Sequence, residues 1–400
     1  MKETDGVEPQ PARWPERLSA PGPKRILAID GGGVRGAVAV AFLQQLERIL
    51  RERYAKPDLV LSDYFDLIGG TSVGAILAAG LALGATADQA AADFMAMAPR
   101  LFRQYLPRLA LIQARFDPKR LARLLREQFG DRTMGSAEWK TGFAALAKRV
   151  DTGSTWVLTN CPRSMYWEGS PEEIIAQPDP ALRKVVPNRD YSLAKVVQSS
   201  AAAPIYFDLV PIEVIKGEPG VFFDGAMTPH GNPALQMAMT ALIPNYGFGW
   251  EPGEDQLLIV SVGTGGPRPL KPDWVRRPLI SVLKALHALV SMAYDTSELA
   301  ISTLQWLGHS PQPWWIKSDI GDLSGARPKG YPALWTFIRY DAPLERRWLK
   351  KTLDRDLDDR QIERLQRLDD ERQIPALYEI GIQVARAQIK PEHFSDAFAP

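Results

Sequence analysis

The stretch RILAIDGGGVRG, residues 25–36, decides the fold class: a short apolar strand, 25–29, closes on a glycine-rich turn that opens a helix. Working outward, residues 36–53 carry Val38, Phe42, Leu43, Leu46, Ile49 and Leu50 at helical spacing. A second apolar stretch, 64–68, closes on Gly70-Thr71-Ser72-Val73-Gly74 and opens an alanine-rich helix, 72–83, that stops near Gly84. Strand, helix, strand, helix in this order predicts parallel strands joined by right-handed crossovers, with helices on both faces of a central sheet. Further along, Thr86 and Asp88 restart a helix. Asp117 caps another over 119–129 with Pro118 in its first turn, and a third runs over 193–203 up to Pro204. Strands are expected at 155–159, 220–223 and 256–262, the last followed by Gly263-Thr264-Gly265-Gly266.

The second string has the G-x-S-x-G pattern of a nucleophile elbow, in which a serine sits on a tight strand-to-helix turn between small neighbours. Gly70 and Gly74 permit the turn, and Ser72 supplies the hydroxyl. The first string, Gly31 to Gly36, has two chemical readings beside simple helix–sheet packing. As an anion cradle it offers consecutive backbone N–H groups at a helix N-terminus, as an oxyanion requires. As a G-x-G-x-x-G dinucleotide fingerprint it needs an acidic residue about 20 positions on, at the end of the next strand. Glu52 falls in the helical stretch and Asp66 lies too far along, which weakens that reading. Asp224-Gly225-Ala226 follows the strand at 220–223; alone, Asp-Gly is more often a turn than a base.

With 400 residues, 45% hydrophobic and 24% charged, the chain has the material for a large core in one or two domains. A net charge of +1 removes the global attraction that a nucleic acid or an anionic membrane would use. Cys161 is the only cysteine, so neither an intrachain disulfide nor a cysteine zinc cluster can form. The four histidines, His230, His287, His309 and His393, show no metal-ligand spacing, and no metal or cofactor is expected. His230, six positions beyond Asp224, is the candidate if a histidine completes the site. The N-terminus lacks the apolar segment of a secretory signal, and the longest small-or-apolar run, 73–85, falls short of the roughly 20 residues a spanning helix needs. A soluble, cytoplasmic chain is expected, any membrane contact being peripheral. In residues 99–116, Arg100, Arg103, Arg108 and Arg115 alternate with Phe102, Tyr105, Leu106, Leu109 and Ile112, as in an interfacial segment or an ordinary cover helix. Trp306, Trp314 and Trp315 read as core packing, with a lipid boundary as the other reading.

Taken together and in order, DGGGVRG, GTSVG and DGA closely resemble the patatin-like phospholipase family, over roughly residues 25–232. The resemblance implies a three-layer α/β/α fold with a mostly parallel central sheet and a helical C-terminal extension. It also implies a serine acyl hydrolase that uses a Ser–Asp dyad without histidine and no cofactor. Carried onto this chain, Ser72 is the nucleophile and Asp224 the base. The backbone N–H groups of Gly32, Gly33, Val34 and Arg35 hold the oxyanion. Gly31, Gly36, Gly70, Gly74, Gly225 and Ala226 complete the motifs. The substrate class it implies is a phospholipid or other lipid acyl ester. A buried carboxylate suits the base role, because removing water raises its proton affinity. The expected organisation is a flexible proline-rich arm at 1–24, a catalytic core at 25–265 and a mainly helical extension, 266–400, packed on it. A Ser–His–Asp esterase and a nucleotide-binding module using residues 31–36 remain the alternative readings. The oligomeric state is not legible.

Overall fold

The apolar run at the start of the quoted stretch is strand β1 (Lys24–Ile29), buried along its whole length. The computed structural model describes residues 14–102, 116–204, 206–266 and 281–400, without the side chains of 118 and 281–290. In chain order the other strands are β2 (Leu67–Thr71), β3 (Gly142–Arg149), β4 (Thr155–Thr159), β5 (Val210–Ile215), β6 (Glu218–Asp224), β7 (Leu257–Val262) and β8 (Thr336–Tyr340). They form one sheet in the order β5-β6-β3-β2-β1-β7-β8, with β4 also paired to β3. The run from β3 through β2, β1 and β7 to β8 is parallel; β4, β5 and β6 pair antiparallel.

Alternate residues of the central strands feed two cores. Leu27 and Ile29 of β1 and Leu258, Val260 and Val262 of β7 face one; Ile26, Ala28, Leu257 and Ile259 face the other. The first is covered by helices Gly36–Arg53, Val73–Ala82, Ala87–Phe102, Leu193–Ala201 and Ile374–Gln388, the second by Ala234–Leu242 and the later part of Ser281–Leu307. Burial on both faces is why β1 and β7 read as continuous apolar runs rather than alternating ones. This is the expected three-layer α/β/α architecture with a mostly parallel sheet.

Two segments behave differently from their sequence reading. Residues 14–24 are fastened to the core rather than forming a flexible arm. Helix Trp14–Ser19 buries Leu18. Arg17 pairs with Asp66 at 2.7 Å and donates to the carbonyls of Ser62 and Tyr64, and Trp250 Nε1 donates to the Leu18 carbonyl. These partners lie far along the chain, so local composition does not reveal them. The extension after residue 265 contributes β8 to the sheet as well as helices. Its helix Ile374–Gln388 lies so close to Gly36–Arg53 that a Cβ on Gly381 would sit 2.8 Å from Ala41 Cβ. Residues 1–13 and 103–115, the latter with most of the arginine–apolar segment, lie outside the described residues. Among the described residues no helix is long and apolar enough to cross a membrane.

Candidate active site

The register of β3 brings the second and third motifs together. Residues 144–146 pair with both β2 and β4, and residues 147–148 with both β4 and β6. A strand has two edges, so β2 and β6 share the edge opposite β4. β2 runs parallel to β3 and β6 antiparallel, so their C-terminal ends meet: Thr71 stands opposite Leu146, and Asp224 opposite the next residue, Ala147. The first motif joins them at Gly31, where a Cβ would lie 3.2 Å from both Ser72 Cβ and Ala226 Cβ.

Ser72 caps helix Val73–Ala82 with φ 58° and ψ −127°, a left-handed conformation that costs a side-chain-bearing residue on the order of 1–3 kcal/mol. It is held there by its own amide, which donates to the Ser200 carbonyl and to Ser200 Oγ, both at 3.1 Å. Ser200 Oγ is in turn tied to the Leu146 carbonyl at 2.7 Å. Gly74 lets the helix close on β1, since a Cβ there would lie 2.2 Å from the Ile29 carbonyl oxygen. Gly70 closes on Gly74 at the same separation.

Asp224 is 1% exposed. Its carboxylate accepts the Ala226 amide at 2.7 Å, and the Ser72 hydroxyl lies close enough to stabilise its charged form. Burial pushes its pKa from 3.8 up to about 7, against the opposing pull of those two donors. His230 enters the site through its backbone: its carbonyl accepts the Thr71 hydroxyl at 2.7 Å. Burial, then the charge of Lys148, hold its imidazole below the usual histidine range. Among the described residues no histidine ring is hydrogen-bonded to Ser72 or Asp224. His393 Nδ1 pairs with the Tyr340 hydroxyl, and the side chain of His287 lies outside the described residues.

The four amides expected to face an oxyanion divide into two pairs. Val34 N–H donates to the Leu368 carbonyl at 2.9 Å and Arg35 N–H to the Gly32 carbonyl at 3.1 Å, because the chain turns there into a tight helix, Gly33–Arg35. Both are spoken for. The Gly32 and Gly33 amides have no acceptor among the described residues, and both glycines line the cleft that holds Ser72 and Asp224. Side chains are excluded here: a Cβ on Gly32 would strike Thr264 Oγ1 at 2.3 Å, and one on Gly33 the Leu368 carbonyl oxygen at 2.2 Å.

The cleft encloses about 1440 Å³ and is walled beside Ser72 by Val73, Ile76, Phe94, Met97, Leu101, Phe102 and Phe207. Trp314 and Trp315 also line it. Of the three tryptophans expected to pack in the core, Trp314 is half-buried against the second core, whereas Trp315 and Trp306 are 62% and 43% exposed. Sequence reading missed Ser200, Thr264, Arg339 and Leu368, which hold the motifs in place. Thr264 carries the clearest signal, since Gly263-Thr264-Gly265-Gly266 follows an apolar strand as the first two motifs do.

A family model described as patatin-like phospholipase matches residues 27–238. The chain is 30% identical over 242 residues to a cGAMP-activated phospholipase of Escherichia coli strain TW11681, covering 60% of this chain and 62% of the relative. It is 26% identical over 254 residues to Patatin-07 of Solanum tuberosum, covering 60% of each. It thus spans about three-fifths of the length of these curated relatives. VipD of Legionella pneumophila aligns with 92% of this chain and 68% of its own at 12% identity and a TM-score of 0.35, too weak a likeness to bear on the fold. With a family model covering more than half of its length and all three motifs converging on one cleft, the chain belongs to the patatin-like phospholipase family.

Proposed function

We propose that this protein is a lipid acyl hydrolase of the phospholipase A type, working through a Ser72–Asp224 dyad and an acyl-enzyme. The observation that carries the reading is the placement of the Ser72 hydroxyl beside the buried Asp224 carboxylate at the mouth of a cleft with an aromatic and aliphatic wall. Asp224 takes the Ser72 proton as Oγ attacks the ester carbonyl carbon. The oxyanion settles against the free amides of Gly32 and Gly33, donors already in place that need no reorganisation as charge develops. Collapse breaks the ester C–O bond, and the leaving alkoxide takes the proton from Asp224. Water, deprotonated by Asp224, then attacks the acyl-serine; the acyl C–Oγ bond breaks, the fatty acid leaves, and Ser72 Oγ takes the proton back from Asp224. The aromatic and aliphatic wall suits an acyl chain, whose burial is favourable at about 0.8 kcal/mol per CH₂.

The dyad is favoured over a histidine-based site because the Asp224 carboxylate interacts with the Ser72 side chain, whereas among the described residues no histidine ring is hydrogen-bonded to either. The relatives' names carry the phospholipid substrate class, and the aromatic and aliphatic wall of the cleft supports it. The test is a panel of phospholipids and simple esters, with a serine-directed fluorophosphonate probe, on wild type and Ser72→Ala. Removing a nucleophile that acts as part of a unit lowers kcat by several orders of magnitude, so Ser72→Ala is expected to lose both hydrolysis and labelling with little change in thermal midpoint. Turnover near the wild-type rate in Ser72→Ala would remove Ser72 from the mechanism. Wild-type inertness on every acyl ester would remove the hydrolase reading.

A further inference from the structure

Asp30 stands between β1 and the turn that presents the Gly32 and Gly33 amides. Its partner comes from the opposite end of the chain. Arg339, the penultimate residue of β8 and 2% exposed, reaches across β7 and forks onto Asp30, Nη1 to Oδ1 at 3.0 Å and Nη2 to Oδ2 at 2.6 Å. Nη1 also donates to Ser261 Oγ of β7 at 2.7 Å, and Nη2 to Asp341 Oδ2 at 2.8 Å. Asp341 Oδ1 accepts the amides of Gly265 and Ala342, both at 2.8 Å. The turn at Gly265 reaches back to the first motif, with Thr264 Oγ1 donating to the Gly31 carbonyl at 2.7 Å. One guanidinium therefore ties the C-terminal ends of β1, β7 and β8 to each other.

We propose that Arg339 is a positioning residue for the oxyanion turn, acting through Asp30 and the Asp341–Gly265 contact to hold the Gly32 and Gly33 amides in register with Ser72. Arg339 lies well beyond the residues that match the family model, 27–238, so its role is not carried by the three motifs. A buried ion pair is poor value as a source of stability, since an apolar pair of the same volume often does as well. What a two-pronged guanidinium adds is direction: planar, parallel hydrogen bonds fix the carboxylate's orientation, which an ammonium cannot do. Direction matters at this point because a misplacement of about 1 Å in catalytic groups costs on the order of 10²-fold in rate.

This inference rests on the proposed hydrolase reading, and the experiment separates the two. Steady-state kcat and KM for a short-chain p-nitrophenyl ester are measured for wild type, Ser72→Ala, Arg339→Lys, Asp30→Asn and Arg339→Met/Asp30→Asn in the full chain. Competent sites are counted by exhaustive fluorophosphonate labelling, and thermal midpoints are recorded. Arg339→Lys keeps the charge and loses the fork; it is expected to lower kcat per labelled site about 10- to 100-fold with KM within about threefold. Asp30→Asn is expected to do the same. The double variant removes two of the three buried charges and leaves Asp341; it is expected not to recover kcat, and to be no slower than the worse single variant, because both act through one contact. Wild-type kcat per labelled site in Arg339→Lys and Asp30→Asn overturns the positioning role. So does a loss that only tracks the fraction of labelled protein. If Arg339→Lys does not fold, Asp30→Asn, nearly identical in shape to the native side chain, decides the matter in the same way. An active Ser72→Ala would instead overturn the hydrolase reading itself.

Discussion

The proposed base role asks two things of Asp224 that conflict in water: it must hold a proton well enough to take one from a serine, yet be free of it at working pH. Burial resolves the conflict by setting its pKa at about 7, and a rate and a stability consequence follow. The base must be ionised, so kcat/KM is expected to rise with pH as a single proton is lost near 7 and to level off above it. A flat profile between pH 5.5 and 8.5 would count against this carboxylate as the base. For stability, between 3.8 and about 7 the native carboxyl keeps a proton that the unfolded chain has released. Stability therefore falls as pH rises through that window, and the cost, on the order of a few kcal/mol, is complete above it. Asp224→Asn keeps an oxygen for the Ala226 amide and removes the buried charge. Its thermal midpoint is expected to exceed that of wild type at pH 8, with the difference shrinking toward pH 5. At this scale the sequence was most legible: Ser72, Asp224 and the glycine turn announce themselves by motif. Which amides of the turn are free was not legible, because Val34 finds its acceptor at Leu368, more than three hundred residues away.

Individual elements explain why the motif glycines stand where they do. Helix Val73–Ala82 starts from a strained serine and lies directly on the last carbonyls of β1, from which the oxyanion turn departs. Gly74 is the contact point: a Cβ there would sit 2.2 Å from the Ile29 carbonyl oxygen and 2.7 Å from that of Asp30. Gly74→Ala is therefore expected to cost about 1–3 kcal/mol, as overpacking does, read as a lowered midpoint in thermal or urea unfolding. It should also lower the rate per folded molecule, because relief of the clash moves the turn away from Ser72. Unchanged stability and rate would show that this close approach is not needed. The G-x-S-x-G spacing made the elbow legible, but not what braces it. Ser200 lies on a helix that was expected over 193–203, though nothing in its sequence marks Ser200 as a brace, and Leu146 lies on a strand whose sequence carries no alternating pattern. Strand β3, GFAALAKR, was not anticipated for the same reason, although its register joins β2 to β6.

Across the whole molecule, the site is assembled from both halves of the chain. The family-matched region supplies the proposed nucleophile and base and the glycine turn, while the remainder supplies Thr264, Arg339 and Leu368 around that turn. Composition placed helices there but did not reveal β8, whose five residues, TFIRY, carry a charge where an apolar run would have marked a buried strand. Arg339 interrupts the pattern, and its guanidinium is hydrogen-bonded to Asp30, Ser261 and Asp341. The central claim is that a carboxylate, with no histidine, activates Ser72. Its most direct test is a comparison of initial rates of ester hydrolysis by Asp224→Asn and His230→Ala at pH 8. Loss of a general base typically costs about 10²–10⁴ in rate. The dyad predicts a fall of at least that size for Asp224→Asn and a rate within about threefold of wild type for His230→Ala. An active Asp224→Asn beside an inactive, folded His230→Ala would contradict it.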